Sequence, residues 1–146
     1  MSSGLIRTVN GGSSSLKCGL FTSVSSPARI HDFNIASDDH VAGLHRVLEN
    51  IRAESSADSI RAIGHRVVHG GDAFDRSVII DKAALYSLHE LSPLAPLHQP
   101  VNLKMIVACI EACPDSPQVG CFDTSFHGNM PAEALNYALP RALTEA

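Results

Sequence analysis

Three short segments carry residue types that bind anions or metal ions, and each lies at the end of an apolar run. The first is Asn10-Gly11-Gly12-Ser13-Ser14-Ser15-Leu16-Lys17. Adjacent glycines let backbone N–H groups turn toward an anion, three hydroxyls add neutral donors, and Lys17 supplies a point charge. It is not a P-loop, because the GxxxxGKS/T spacing is absent and a strand rather than a helix follows. The same octapeptide reads equally as an ordinary Gly/Ser hairpin with a solvated lysine. Asn10 adds an amide oxygen that can approach a cation or a metal-bound water at the end of a sheet.

The second segment is Gly64-His65-Arg66-Val67-Val68-His69-Gly70-Gly71. Arg66 interrupts an apolar strand, and a guanidinium there needs a carboxylate or phosphate to pair with. An anion in a cleft and a structural ion pair with an Asp or Glu elsewhere both meet that need. His65 and His69 share a face of an extended strand, but no third ligand with metal-site spacing follows them. The third segment is Cys121-Phe122-Asp123-Thr124-Ser125-Phe126-His127. Asp123 ends a short apolar strand, where a carboxylate can hold a hydrated magnesium ion with Thr124 or Ser125 donating to it, or can cap a turn. In the proline-rich stretch from Pro93 to Asn102, Leu97 and His98 can line a small apolar pocket, and Asn102 reads as the cap of the next helix. Cys109 and Cys113 share a helix face and read as small buried apolar residues.

The elements that must position these residues follow from periodicity. Leu5 to Val9, Leu16 to Thr22 and Ala28 to Ile35 are strand-like and separated by turn residues, which predicts an antiparallel meander. From Asp38 the apolar residues Val41, Leu44, Val47, Leu48 and Ile51 recur at helical spacing, with Ser37 or Asp38 as cap. Ser59 to His69 reads as a buried strand ended by Gly70-Gly71, and a long polar excursion follows it. Asp81 to Leu91 and Val101 to Cys113 are predicted helices on either side of the Pro93/Pro96 break, Gln118 to Phe122 is a strand, and Pro131 to Ala146 is helix-like with an interruption at Pro140. The sum is an α/β chain: a mixed sheet with flanking helices.

Bulk properties narrow the function classes. At 146 residues and 45% hydrophobic content the chain suits one domain with a real core. Eleven basic and fifteen acidic residues give a formal charge of -4, with no basic stripe to gather nucleic acid. No apolar run approaches the roughly 20 residues needed to cross a bilayer, and Met1-Ser2-Ser3-Gly4 is no signal peptide. Four scattered cysteines suit reduced thiols. The expectation is a soluble, unexported, cytoplasmic protein with neither nucleic-acid nor membrane partners.

The segments, in their order, resemble the acetate kinase family. The resemblance rests on Asn10 to Lys17, His65-Arg66-Val67-Val68-His69-Gly70-Gly71, Leu94-Ala95-Pro96-Leu97-His98, Phe122-Asp123-Thr124-Ser125-Phe126-His127 with Met130-Pro131, and Tyr137-Ala138-Leu139-Pro140. It implies a ribonuclease-H-like lobe of the actin and sugar-kinase type, and the reversible reaction of ATP with acetate to give ADP and acetyl phosphate, with Mg2+. By position, it makes Asp123 and Arg66 catalytic and Asn10 a magnesium-site residue. Lys17, Ser13 and Ser15 become phosphate-side ligands, and Arg66, Val68, Leu97 and His98 border the acid. Propionate or butyrate kinase is a close alternative, and a free-standing anion- or nucleotide-binding module is the non-enzymatic one. The family form is expected to be a homodimer.

Two constraints accompany the resemblance. A carboxylic acid with a pKa of about 4 to 5 is already ionised at pH 7, so Asp123 has no proton to remove and reads as an organiser of magnesium and its waters. The family's remaining catalytic histidine, second arginine, metal-site glutamate and adenosine loops have no counterpart here, so residues 1–146 are expected to form a single N-terminal lobe, truncated before the second lobe and inactive alone. Arg7 also departs from the family's aliphatic first strand, which leaves it either reaching the surface or weakening the lobe. Gln99 and Gly128-Asn129 are departures expected in loops.

Overall fold

Strand alternation explains the first half of the sheet. β1 (Leu5–Gly11) and β2 (Ser15–Phe21) pair antiparallel, with Arg7 opposite Leu20, Val9 opposite Cys18 and Asn10 opposite Lys17. Because successive side chains point to opposite faces, Arg7, Val9, Leu16, Cys18 and Leu20 share one face, and all are buried. Asn10 and Lys17 share the other face. β3 (Arg29–Ala36) adds antiparallel to β2 and completes the meander. These elements come from a computed structural model that describes residues 4–12, 15–22, 27–36, 42–46, 48–49, 60–135, 138–140 and 142.

The second half of the sheet is built on the other side of β1. β4 (Ile60–Val67) pairs with β1 in parallel, β6 (Gln118–Phe122) pairs with β4 in parallel, and β5 (Val78–Ile79) closes the edge antiparallel to β6. The order is β3-β2-β1-β4-β6-β5. β1, β4 and β6 therefore run in one direction and end at one edge of the sheet, where ligands of such sheets collect.

Helices cover the face that carries Val9. Residues 42–46 and 48–49 are helical, and Leu44 and Leu48 pack into a core with Val9, Leu16, Ile63 and Met105. The predicted cap at Ser37 or Asp38, with Val41, Val47 and Ile51, lies outside the described residues. Helix α1 (Lys82–Glu90) is capped by Asp81, whose carboxylate accepts the Ala84 N–H at 2.8 Å. Helix α2 (Gln99–Ala112) spans both halves of the core. Its Met105 and Cys109 sit under β1 and β2, and its Leu103 and Ile106 join Val67, Leu88 and Phe122 under β4 and β6. Each such side chain, fully buried, contributes on the order of 1.5 to 3 kcal/mol.

Several expectations change. The long polar excursion contains β5, whose two residues are too few to show a period. α2 begins at Gln99, two residues before the predicted start, since Pro100 fits a first helical turn whose N–H needs no partner. Asn102 is therefore inside the helix rather than its cap, and Gln99 is a buried helical residue rather than part of a loop. The C-terminal segment contributes a short helix, α3 (Ala132–Leu135). Arg7 is 1% exposed, so it does not reach the surface. Its guanidinium acts on the neighbouring Cys18 and Cys109 thiols, both pushed up to about 12 by burial, with Arg7 pulling each the other way.

Candidate functional site

The three parallel strands deliver three polar side chains to one point. Asn10 is the penultimate residue of β1, Arg66 is the penultimate residue of β4, and Asp123 follows the last residue of β6. Arg66 Nε donates to both Asp123 oxygens at 3.0 Å, Nη2 donates to Oδ2 at 2.6 Å, and Nη1 donates to Asn10 Oδ1 at 3.2 Å. The sequence left a cleft anion and an ion pair open for Arg66; in the structure its partner is Asp123 itself. The hydrogen bonds that Arg66 donates to Asp123, more than the carboxylate's charge, push the Arg66 pKa up, so the guanidinium is cationic at any working pH.

The pair is half exposed, with side-chain accessibilities of 45% and 42%. An ion pair this wet stabilises a fold by at most about 1 kcal/mol. A guanidinium has five N–H groups, and the bonds above engage one each on Nε, Nη1 and Nη2. Among the described residues, one N–H on each terminal nitrogen has no partner and stays available to an incoming anion.

The glycine turn lies beside this group. Gly12 N–H donates to Ser15 O at 2.9 Å and closes the loop between β1 and β2. Lys17, exposed and in register with Asn10, shares its face and makes no ion pair among the described residues. Ser15 opens β2 and is partly buried. Ser13 lies outside the described residues.

The other predicted site residues are placed less tightly. Val68 is partly buried just past β4, with its N–H donating to Asn102 Oδ1 at 3.2 Å. Leu97 is 80% exposed, and His98 is the residue before α2, its N–H donating to Ala95 O. No hydrogen bond ties Val68, Leu97 or His98 to Arg66 among the described residues.

Thr124 and Ser125, expected to donate toward Asp123, engage backbone groups among the described residues. Thr124 Oγ1 accepts the Gly70 N–H at 3.0 Å, and Ser125 Oγ donates to Phe122 O at 2.7 Å. The Gly70–Thr124 bond ties the turn after β4 to the 3-10 turn Asp123–His127. Gly71 in that first turn has φ +58°, and a Cβ there would meet Leu91 Cδ2 at 2.8 Å, which is why two glycines end this strand. An open cavity of about 380 Å³ adjoins, lined in part by His69, Phe74, Thr124 and Ser125.

The histidines do not form a metal pair. His65 is buried in β4 with Nε2 2.7 Å from Gln118 Oε1, whereas His69 lies beyond the strand and its Nδ1 accepts the Gly71 N–H. Burial pushes the His65 pKa down, opposed by the Gln118 bond. Among the described residues no cluster of three His, Cys, Asp or Glu could cage a metal. The oxygens of Asn10 and Asp123 are nonetheless hard donors facing one open edge. That set fits a hydrated divalent cation that takes one or two protein oxygens and fills its remaining positions with water and phosphate.

Two supporting residues escaped the sequence reading. Asn102, 3% exposed, donates from Nδ2 to Gly11 O at 3.0 Å while accepting from Val68, and Gln99 Nε2 donates to His69 O at 3.0 Å and Leu88 O at 3.3 Å. The available signal was two amides within the first turn and a half of a helix whose neighbours are apolar.

With this geometry in view, the likenesses to known proteins are consistent with one another. The sequence model of the Acetokinase family matches residues 25–146. The chain is 38% identical over 160 aligned positions to an acetate kinase of Chromobacterium violaceum, an alignment that covers 94% of this chain and 40% of that protein. A crystal structure of a propionate kinase from Francisella tularensis superposes with a TM-score of 0.77 at 31% identity, covering 97% of this chain and 42% of that one. An acetate kinase from Entamoeba histolytica superposes with a TM-score of 0.76 at 26% identity, covering 97% and 40%. The chain thus spans well under half the length of these relatives.

Proposed function

The chain belongs to the acetokinase family and has its ribonuclease-H-like lobe of the actin and sugar-kinase type, and from that premise we propose that it supplies one wall of a phosphotransferase site. The reaction is the reversible transfer of the terminal phosphoryl group of ATP to acetate, giving ADP and acetyl phosphate. The observation that carries this reading is the convergence of Asn10, Arg66 and Asp123 at the ends of three parallel strands.

Phosphoryl transfer asks a protein mainly for alignment and positive charge around the moving group. Asp123 holds the Arg66 guanidinium at one angle, and the two remaining N–H groups of Arg66 bind the acid's carboxylate and an oxygen of the phosphoryl group. Because the acid arrives ionised, Asp123 acts as an organiser and not as a general base. Lys17, Ser13 and Ser15 serve the nucleotide phosphates, and Val68, Leu97 and His98 border the acyl group. Asn10 and Asp123 would hold Mg2+, which when bound neutralises phosphate charge. The four cysteines are free thiols, which supports a reducing, cytoplasmic setting as part of this reading. No helix among the described residues is long and apolar enough to cross a membrane.

Propionate or butyrate is the alternative acid on one observation: a propionate kinase is among the solved structures that share this lobe, at a TM-score of 0.77. Trapping acyl phosphate with hydroxylamine tests the proposal, using ATP with each acid, on this chain alone and mixed with the separately produced remainder of a relative. Product in the mixture and background alone is the expected result. A mixture that forms none while the chain still binds nucleotide would instead favour an anion-binding module.

A further inference from the structure

The hydrogen-bonded ladder between β1 and β4 runs from Leu5 opposite Ile60 to Val9 opposite His65 and goes no further. Asn10 and Arg66 are the next residues on each strand. The two groups on which the proposed chemistry rests therefore stand one residue past the last rung that joins β1 to β4, although β1 is still paired with β2 there and β4 with β6. The 3.2 Å bond from Arg66 Nη1 to Asn10 Oδ1 is the direct link between them, and a further tie between the two strand ends matters because a misplacement of about 1 Å at such a site lowers a rate on the order of a hundred-fold.

Asn102 occupies the required position. It projects from α2 with 3% exposure, donates to the carbonyl of Gly11, next to Asn10, and accepts from the N–H of Val68, two residues past Arg66. One amide thus replaces the missing rung. Only a side chain of this length with one donor and one acceptor closes both bonds; leucine fills the space and makes neither. The close approach is built in, for a Cβ at Gly11 would stand 3.3 Å from Met105 Cγ and 3.5 Å from Val101 Cγ1. Gln99, fully buried one turn earlier, extends the clamp by donating to the carbonyl of His69. The apolar residues Leu103, Met105 and Ile106 already anchor α2 in the core, so the helix does not need the amide in order to dock.

We propose that Asn102 is a positioning residue: it ties the start of the glycine turn to the strand end that bears Arg66 and so sets the distance between Asn10 and Arg66. Its importance for phosphoryl transfer rests on the function proposed above, but the clamp itself does not. The test is NMR of the isotope-labelled 146-residue chain without ligand. It follows hydrogen exchange at the Arg66 Nη–H groups, one of which donates to Asn10, together with the Gly12 and Val68 backbone N–H resonances, in wild type, Asn102→Leu and Asn102→Ala. Leu103→Ala serves as a control that loses core packing but no clamp.

Exchange at Arg66 Nη–H is expected to rise about ten-fold in both Asn102 variants, with Gly12 and Val68 both shifting, while Leu103→Ala leaves all three near wild type. Should the smaller variant fail to fold, Asn102→Leu, which keeps the volume, carries the test. An unchanged Arg66 Nη–H in Asn102→Leu, or an equal change in Leu103→Ala, would overturn the proposal. Because no substrate is present, a wild-type chain that formed no acyl phosphate on complementation would defeat the kinase reading and leave this one standing.

Discussion

Two arginines on neighbouring strands show how placement separates a structural charge from a working one. Arg7 lies mid-strand in β1 on the face covered by α2, 1% exposed among Cys18 and Cys109. Arg66 lies one residue from the end of β4 on the opposite face, half exposed, with a carboxylate and an amide oxygen as partners. The buried charge is bound up with folding, because taking a guanidinium from water is costly and its surroundings must be arranged around it. The exposed one adds little to stability and keeps two N–H groups for a ligand.

Substitutions can break this contrast. Arg7→Ala empties a fully buried volume and is expected to lower stability by roughly 2 to 3 kcal/mol in a urea titration through the cavity it leaves, with the Arg66–Asp123 resonances unchanged in the folded chain. An equally large perturbation at Arg66 would mean that the two sites are not separable. Asp123→Ala is expected to do the reverse: the melting temperature moves by a few degrees at most, and acyl-phosphate formation in the complemented chain falls about a hundred-fold as Arg66 loses its fixed angle. A large drop in melting temperature would assign the pair to the fold.

The covered face also sets a pH dependence. The folded-state pKa of His65 lies below its usual value of 6.5, mainly through burial. Between the two values the unfolded chain binds more protons, so stability rises with pH and is lost as pH falls below about 6.5. His65→Gln should flatten the slope of the urea midpoint between pH 7 and 5, and an unchanged slope would remove His65 from the account. The smallest effect concerns thiols. At pH 8 Cys121, which is exposed, should alkylate first, while Cys18 and Cys109, pushed up to about 12 by burial, stay protected until the chain unfolds, as intact-mass measurement would show.

Much of this arrangement was legible in the residues. Asn10, Arg66 and Asp123 each interrupt or end an apolar run, and a polar residue at the end of a buried strand is conspicuous against its neighbours. The strands carrying them were found within one or two residues, because period-2 runs bounded by Gly70-Gly71 or Pro117 leave few alternatives. What could not be read was who pairs with whom. Arg66 and Asp123 are 57 residues apart, and only the parallel pairing of β4 with β6 makes them neighbours. From sequence Asn102 reads as a cap because a cap and a tertiary clamp use the same amide, and local spacing favours the cap. Arg7 shared the parity of Val9, which pointed inward, but a side chain that long can reach water from many positions. β5 is too short to leave a pattern.

The contrast between the two arginines is tested most directly by the rate of acetyl phosphate formation from ATP and acetate in the complemented chain, comparing Arg66→Ala with wild type at matched concentrations of folded protein. A loss of at least about a thousand-fold with an unchanged melting temperature is expected, since an arginine that stabilises the transferring phosphoryl group is worth that much. A variant that keeps its rate, or loses it only by unfolding, would contradict the assignment of Arg66 as the residue that binds the moving group.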